Sequence, residues 1–136
     1  MDTDLLNHID NARNFIDKTR RLHNPNKKEF LSDEKTYLSV SMTLFTVLNE
    51  IIEIGELVID KEGFKIPLKY SEIFVTLKNE NVISGYVGKI LEKYCKYRNM
   101  IAHQYSHFDT EKIYEISENI DIVEKFIDEI LDYYKS

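Results

Sequence analysis

Arg98, Asn99, His103 and Tyr105 fall within one eight-residue string, Arg98-Asn99-Met100-Ile101-Ala102-His103-Gln104-Tyr105. Histidine can take a proton from a ribose 2′-OH, or give one to a leaving oxygen, near neutral pH. Arginine keeps its charge, can grip a phosphate through two parallel N–H bonds, and stabilises charge that grows in the transition state. Those types together suit phosphodiester cleavage without a metal or cofactor. Such a reaction stops at a cyclic phosphate and is restricted to RNA, because DNA lacks the nucleophile. Each residue also has an ordinary alternative: an ion pair at the core edge for Arg98, a helix-end position for His103, a packed ring for Tyr105. Only the combination points to chemistry.

Val87, Leu91 and Tyr94 form an apolar stripe whose rhythm continues to Arg98, Ile101 and Tyr105. An arginine therefore falls on a packing face, where it needs partners or water. Asn99 and His103 are four apart and share an adjacent face. Arg98 and His103 are five apart, about 140° around an ideal helix. They can meet at one substrate only at the flank, at a break in the helix, or across a two-fold axis. His103 near a helix C-terminus would have its charged form favoured by the dipole.

Other candidates are weaker. His103 and His107 have the spacing of a helical zinc pair, with Asp109 as a third ligand. A turn expected over 106–109 takes the two histidines off a common face, so no metal site is expected. His8 and His23 have no sequence companions and read as surface residues. Cys95 reads as a small packed residue beside Tyr94. Lys93 and Lys96 are near it, but no base is placed to activate it, and one cysteine allows no internal disulfide. Tyr94, Tyr97, Tyr133 and Tyr134 are at core spacing.

The elements that must position these residues are helical. Four glycines and two prolines in 136 residues leave few turns. Five helices are expected: about Asp4 to Leu22, Ser32 to Ile59, Ser71 to Glu80, Gly85 towards Ala102, and Asp109 to Tyr134. The first carries the stripe Leu5, Ile9, Ala12 and Ile16 and ends at Asn24-Pro25-Asn26. Ser32 and Asp33 are cap candidates for the second, which packs through Tyr37, Val40, Leu44, Val47, Leu48, Ile51, Ile54 and Val58. Gly55 inside it would let a neighbour come close. Asp60 to Tyr70 reads as a loop, with Ser71 as the next cap. The last helix carries a near coiled-coil seam, Ile113, Ile116, Ile120, Val123, Ile127, Ile130 and Tyr134. The fold class is all-α, an up-and-down helical bundle over 1–136 as a single domain. Its surplus apolar positions would be absorbed by a homodimer.

Charge and composition bound the function. With 43% hydrophobic and 31% charged residues the chain can bury a core. The net charge of −6 lies wholly in 109–136, where nine acids face three lysines. That acidic face can keep the chain soluble or dock a partner. Global acidity argues against general nucleic-acid binding. Two basic clusters, Lys18-Arg20-Arg21-Lys27-Lys28 and Lys89-Lys93-Lys96-Arg98, leave room for a local RNA site. No apolar run approaches a membrane span and Met1-Asp2-Thr3-Asp4 lacks the features of a signal peptide, so the cytoplasm is expected.

Arg98, four residues, His103, one residue and Tyr105 resemble the Arg-x4-His-x-Tyr motif of HepT-like HEPN proteins. Asn99 and Ala102 also fit that family. So do Ile51-Ile52-Glu53-Ile54-Gly55-Glu56 on the long helix, Pro67 and Tyr70, the 77–84 stretch and Asp109. The resemblance covers roughly 38–135. It implies a metal-independent endoribonuclease toxin of a toxin–antitoxin module, homodimeric, with motifs of both subunits facing a shared cleft. Arg98 and His103 would then be catalytic, with Asn99 orienting them. An MntA-like nucleotidyltransferase antitoxin would silence the toxin by AMPylation of Tyr105, adding charge and bulk where an RNA phosphate must sit. The rival reading is a non-catalytic HEPN adaptor or substrate-binding partner of a nucleotidyltransferase.

Overall fold

The computed structural model describes residues 2–102 and 109–135. Eight helices run through them: α1 (Thr3–Leu22), α2 (Lys27–Ser32), α3 (Glu34–Glu62), α4 (Tyr70–Asn79), α5 (Gly85–Cys95), α6 (Tyr97–Ala102), α7 (Thr110–Glu118) and α8 (Ile120–Lys135). There is no strand among the described residues.

The apolar stripes are the bundle's core. Leu5, Ile9, Ala12 and Ile16 of α1 are buried against α3, where Val40, Leu44, Val47, Leu48, Ile51, Ile54 and Val58 are buried in turn. From the other side α7 and α8 bury Ile113, Ile116, Ile120, Val123, Ile127 and Ile130. Burying a side chain of this size is worth roughly 1.5–3 kcal/mol, so these stripes fix which way each helix faces. At Gly55, an added Cβ would lie 2.4 Å from Cγ2 of Ile73 in α4. The glycine is what lets α4 sit on α3.

The helix boundaries depart from the expectation in several places. Asp33, not Ser32, caps α3, accepting from the Thr36 N–H and hydroxyl. Ser32 instead closes α2, a six-residue helix absent from the expected set. Asn26 caps α2 by accepting from the Glu29 N–H, and the helix delivers Phe30 fully into the core. The long helix continues past Ile59 to Glu62 and stops at Gly63, whose φ of +70° suits glycine. There the Gly63 N–H reaches the Asp60 carbonyl and the Phe64 N–H reaches Ile59, a Schellman closure. α4 begins at Tyr70 rather than behind a Ser71 cap; Lys69 stands at its cap, and the Glu72 carboxylate accepts from the Leu68 N–H.

The other two differences are breaks. The penultimate helix divides at Lys96 into α5 and α6, and the last divides at Asn119 into α7 and α8. Asn119 leaves helical geometry with its side-chain amide donating to the Glu115 carbonyl. Local side-chain bonding of this kind competes with the helical ladder.

The two histidines read as surface residues are braces. His8 Nδ1 lies 2.6 Å from Glu50 of α3, and Asn11 holds the other oxygen of that carboxylate at 2.8 Å. His23 contacts Glu118 and Ser117, with Phe30 and Tyr114 rings 5.5 and 5.2 Å from its own. Tertiary packing supplies the companions that the local sequence lacks. Part of the acidic face is likewise engaged. Glu124 and Asp121 bind Arg20, Asp128 binds Arg13, and Glu129 accepts from the Ser84 N–H.

Candidate active site

α5 ends on the buried pair Tyr94 and Cys95, the chain passes through Lys96 in helical geometry, and the described part of α6 packs against α3. Arg98 sits half-buried on it. Its Nε donates to Asn49 Oδ1 of α3 at 2.6 Å, and Nη1 donates to Asn99 Oδ1 at 3.3 Å. The guanidinium carbon lies 5.6 Å from the Phe45 ring centroid and 5.4 Å from that of Tyr70.

Every one of these partners is neutral. Among the described residues no carboxylate pairs with Arg98, so the core-edge ion pair is not what holds it. Rings and amide oxygens hold the guanidinium, and no carboxylate among the described residues offsets its charge. That is the state in which an arginine binds an external anion.

Phe45 and Asn49 carry no local mark of function. They are four apart on α3, hence on one face, and the same stripe extends to Leu38 and Met42. Leu38 is 41% exposed and Met42 71%. The helix therefore offers solvent an apolar strip leading to the arginine.

Beside Tyr70 and Asn99 lies a cavity of about 810 Å³. Its walls include Leu57, Ile66, Pro67, Leu68 and Ile73, with Tyr70 and Asn99 shared with the arginine's surroundings. Glu53, Glu56 and Asp60 line one side, and burial together with Glu53 raises the Glu56 carboxyl above its usual range. Cys95 also lines it, and burial pushes its thiol up to about 11, which leaves it protonated and a poor nucleophile.

The basic clusters are partly neutralised. Arg20 of the first is fully engaged by α8, and Lys93 of the second lies 3.8 Å from Glu115. Lys112 of α7 stands over the Tyr97 ring at 5.5 Å, near the start of α6.

The structure thus joins Arg98 and Asn99 directly. His103 and Tyr105 lie outside the described residues, as do Gln104 and His107. Among the described residues no cluster of histidine, cysteine and carboxylate could hold a metal ion, and no helix is long and apolar enough to cross a membrane.

The fold is shared with proteins of known structure. A chain from the complex of the tri-AMPylated HEPN toxin of Shewanella oneidensis with an MNT antitoxin superposes with a TM-score of 0.87, at 21% identity over 97% of this chain and 99% of that one. A chain from a toxin–antitoxin structure holding AMP-PNP gives 0.85, at 20% identity over 94% and 97%. YutE, a cytosolic protein of Bacillus subtilis, gives 0.75, at 22% identity over 92% and 87%. In sequence, a candidate RNase of Archaeoglobus fulgidus is 29% identical over 83 residues. That match takes in 61% of this chain and only 62% of the relative's length. The profile of the family described as ribonuclease HepT-like matches residues 5–130. The chain belongs to the HepT-like ribonuclease family.

Proposed function

We propose that the chain is a metal-independent endoribonuclease toxin that cleaves RNA at a site built on Arg98 and His103. The observation that carries this reading is the state of Arg98: held by two rings and two amide oxygens, and met by no carboxylate among the described residues. Arg98 binds the scissile phosphate and stabilises its growing charge. His103 takes the proton from the 2′-OH, whose oxygen attacks phosphorus while the bond to the 5′-oxygen breaks. The products are a 2′,3′-cyclic phosphate and a 5′-hydroxyl. Asn99 acts as a positioning residue through its contact with the guanidinium.

The working form is a homodimer in the cytoplasm, with a composite cleft between two copies of the motif. The exposed strip Leu38–Met42 beside Phe45 supports this, because it is apolar surface on the helix that carries the site. The partner is an MntA-like nucleotidyltransferase that silences the site by AMPylation of Tyr105. Family membership, and the likeness in fold to chains from toxin–antitoxin complexes, favour that assignment.

Expression of the chain alone should arrest growth, and His103→Ala should relieve the arrest with helical content unchanged. Equal toxicity of His103→Ala and the parent would refute catalysis. A chain harmless alone that alters its partner's kinetics would instead be an adaptor. Co-expression with the cognate nucleotidyltransferase should add AMP to the peptide containing Tyr105.

A further inference from the structure

The cavity beside Arg98 has no role in the reaction as described. Its volume, about 810 Å³, suits a small ligand rather than a side chain of this fold. Two of its walls meet the arginine directly. Tyr70 stacks on the guanidinium and is 50% exposed, and Asn99 accepts from it. Whatever occupies the cavity is therefore next to the group that Arg98 binds.

On the nuclease reading, that group is an RNA phosphate, and the neighbouring moiety is a sugar or a base. The lining decides which part of the chain enters. Glu53, Glu56 and Asp60 line one side of the cavity, and Lys69 and Lys96 also stand in its wall. Ile66 and Leu68, 77% and 95% exposed, offer apolar surface that the fold itself does not use. An apolar, aromatic-edged cleft with carboxylates on one side accepts a planar ring carrying N–H donors, with Lys69 and Lys96 at hand for the phosphates next to it. Single-stranded RNA presents such rings, splayed from the backbone and stacked on aromatic or guanidinium planes.

We propose that this cavity is a nucleobase subsite that selects, next to the cleaved bond, a base with adjacent N–H donors, guanine above all. Guanine alone offers a ring N–H beside an exocyclic amine, and so can bind one carboxylate through two parallel bonds. Adenine and cytosine present a single exocyclic amine. Uracil presents one ring N–H between two carbonyls, which a carboxylate repels. The inference rests on the nuclease reading above. Glu56 is the residue best fitted to the task, since it lines the cavity beside Glu53 with its carboxyl exposed to whatever enters.

The test uses a set of 2′-O-methyl oligonucleotides, each with one ribonucleotide, covering every pair of bases around the single cleavable bond. The parent should cut guanine-flanked bonds about tenfold or more faster than uracil-flanked ones, judged by kcat/KM, as a two-bond contact to a base discriminates on that scale. In the double variant Glu53→Gln/Glu56→Gln, the rate on guanine substrates should fall to the uracil level. Both side chains face solvent, and a thermal melt checks that the variant folds. A parent with no base preference, or a preference the variant retains, overturns the subsite and leaves the nuclease intact. An equal loss on every substrate overturns it as well. So does a variant that keeps its base preference but loses its grip on the nucleotidyltransferase, which would make the cavity a protein-docking surface. If the parent cuts none of the set, and no natural RNA either, the nuclease reading fails and the subsite with it.

Discussion

Arg20 and Arg98 are both half-buried arginines at the edge of the same core, and they are held in opposite ways. Arg20 of α1 meets both oxygens of Glu124 at 3.0 Å and Asp121 at 2.6 Å, with Asp17 nearby. Arg98 meets two amide oxygens and two rings. The first is neutralised and joins α1 to α8. The second is oriented but remains charged towards solvent. Burial and residue type are alike, so the difference in role comes from the partners alone. An arginine on a packing stripe is a functional candidate when those partners are neutral.

The comparison breaks first at Arg98 itself. Arg98→Ala should lower RNA cleavage by about 10²–10³-fold, the scale for removing one preorganised charge donor, with the melting temperature nearly unchanged. Arg98→Lys should not restore it, since an ammonium lacks the planar fork and the ring stacking. If Arg20→Ala costs as much activity as Arg98→Ala, the distinction between the two is wrong.

Asn49→Asp is the sharper test, because it gives Arg98 what Arg20 already has. Placing a carboxylate 2.6 Å from Nε should cut kcat/KM at least about tenfold while leaving the melting temperature equal or higher. A variant as active as the parent would show that the uncompensated charge is irrelevant.

Gly55→Ala probes the scaffold that brings Tyr70 to the guanidinium. The new methyl meets Ile73, a buried β-branched residue with little room to move. Overpacking of this kind costs about 1–3 kcal/mol, against roughly 1 kcal/mol regained in helix propensity. Chemical denaturation should show a net loss, and cleavage should fall with it as α4 is pushed off α3.

The brace next to Asn49 gives a pH dependence. The Glu50 hydrogen bond raises the His8 pKa above its ordinary 6.5. The folded value lies above the unfolded one, so this stabilisation is fully present below about pH 6.5 and fades as the pH rises through the raised value. Unfolding free energy followed from pH 6 to 9 should fall more steeply in the parent than in His8→Gln. The smallest effect belongs to Arg20 and Glu124, which keep 34% and 40% of their side-chain surface open to water. A double-mutant cycle should give about 0.2–1 kcal/mol, less in high salt.

Much of this was legible from spacing. The buried stripes of α1, α3 and α8, the need for a small residue at Gly55, and the anomalous phase of Arg98 all follow from a period of three and four. What escaped was non-local or too short for a period to register. Asn49 and Phe45 gain meaning only from Arg98, about fifty residues away, and nothing beside them marks it. α2 spans under two turns, so its one signal was Asn26 followed by Glu29. The break at Lys96 involves neither glycine nor proline, and the companions of His8 and His23 come from α3 and α7. The motif's string marked the region, but its histidine and tyrosine lie outside the described residues and keep their roles as proposals.

The described part of α6, Tyr97–Ala102, packs on α3. The arginine it carries takes Phe45 and Asn49 from α3 and Tyr70 from α4, so its full setting exists only when those helices are packed together. A nascent or partly unfolded chain holds all the same residues and none of the arrangement. On the proposed reading of the chain as a toxin, potency would begin only when the fold is complete.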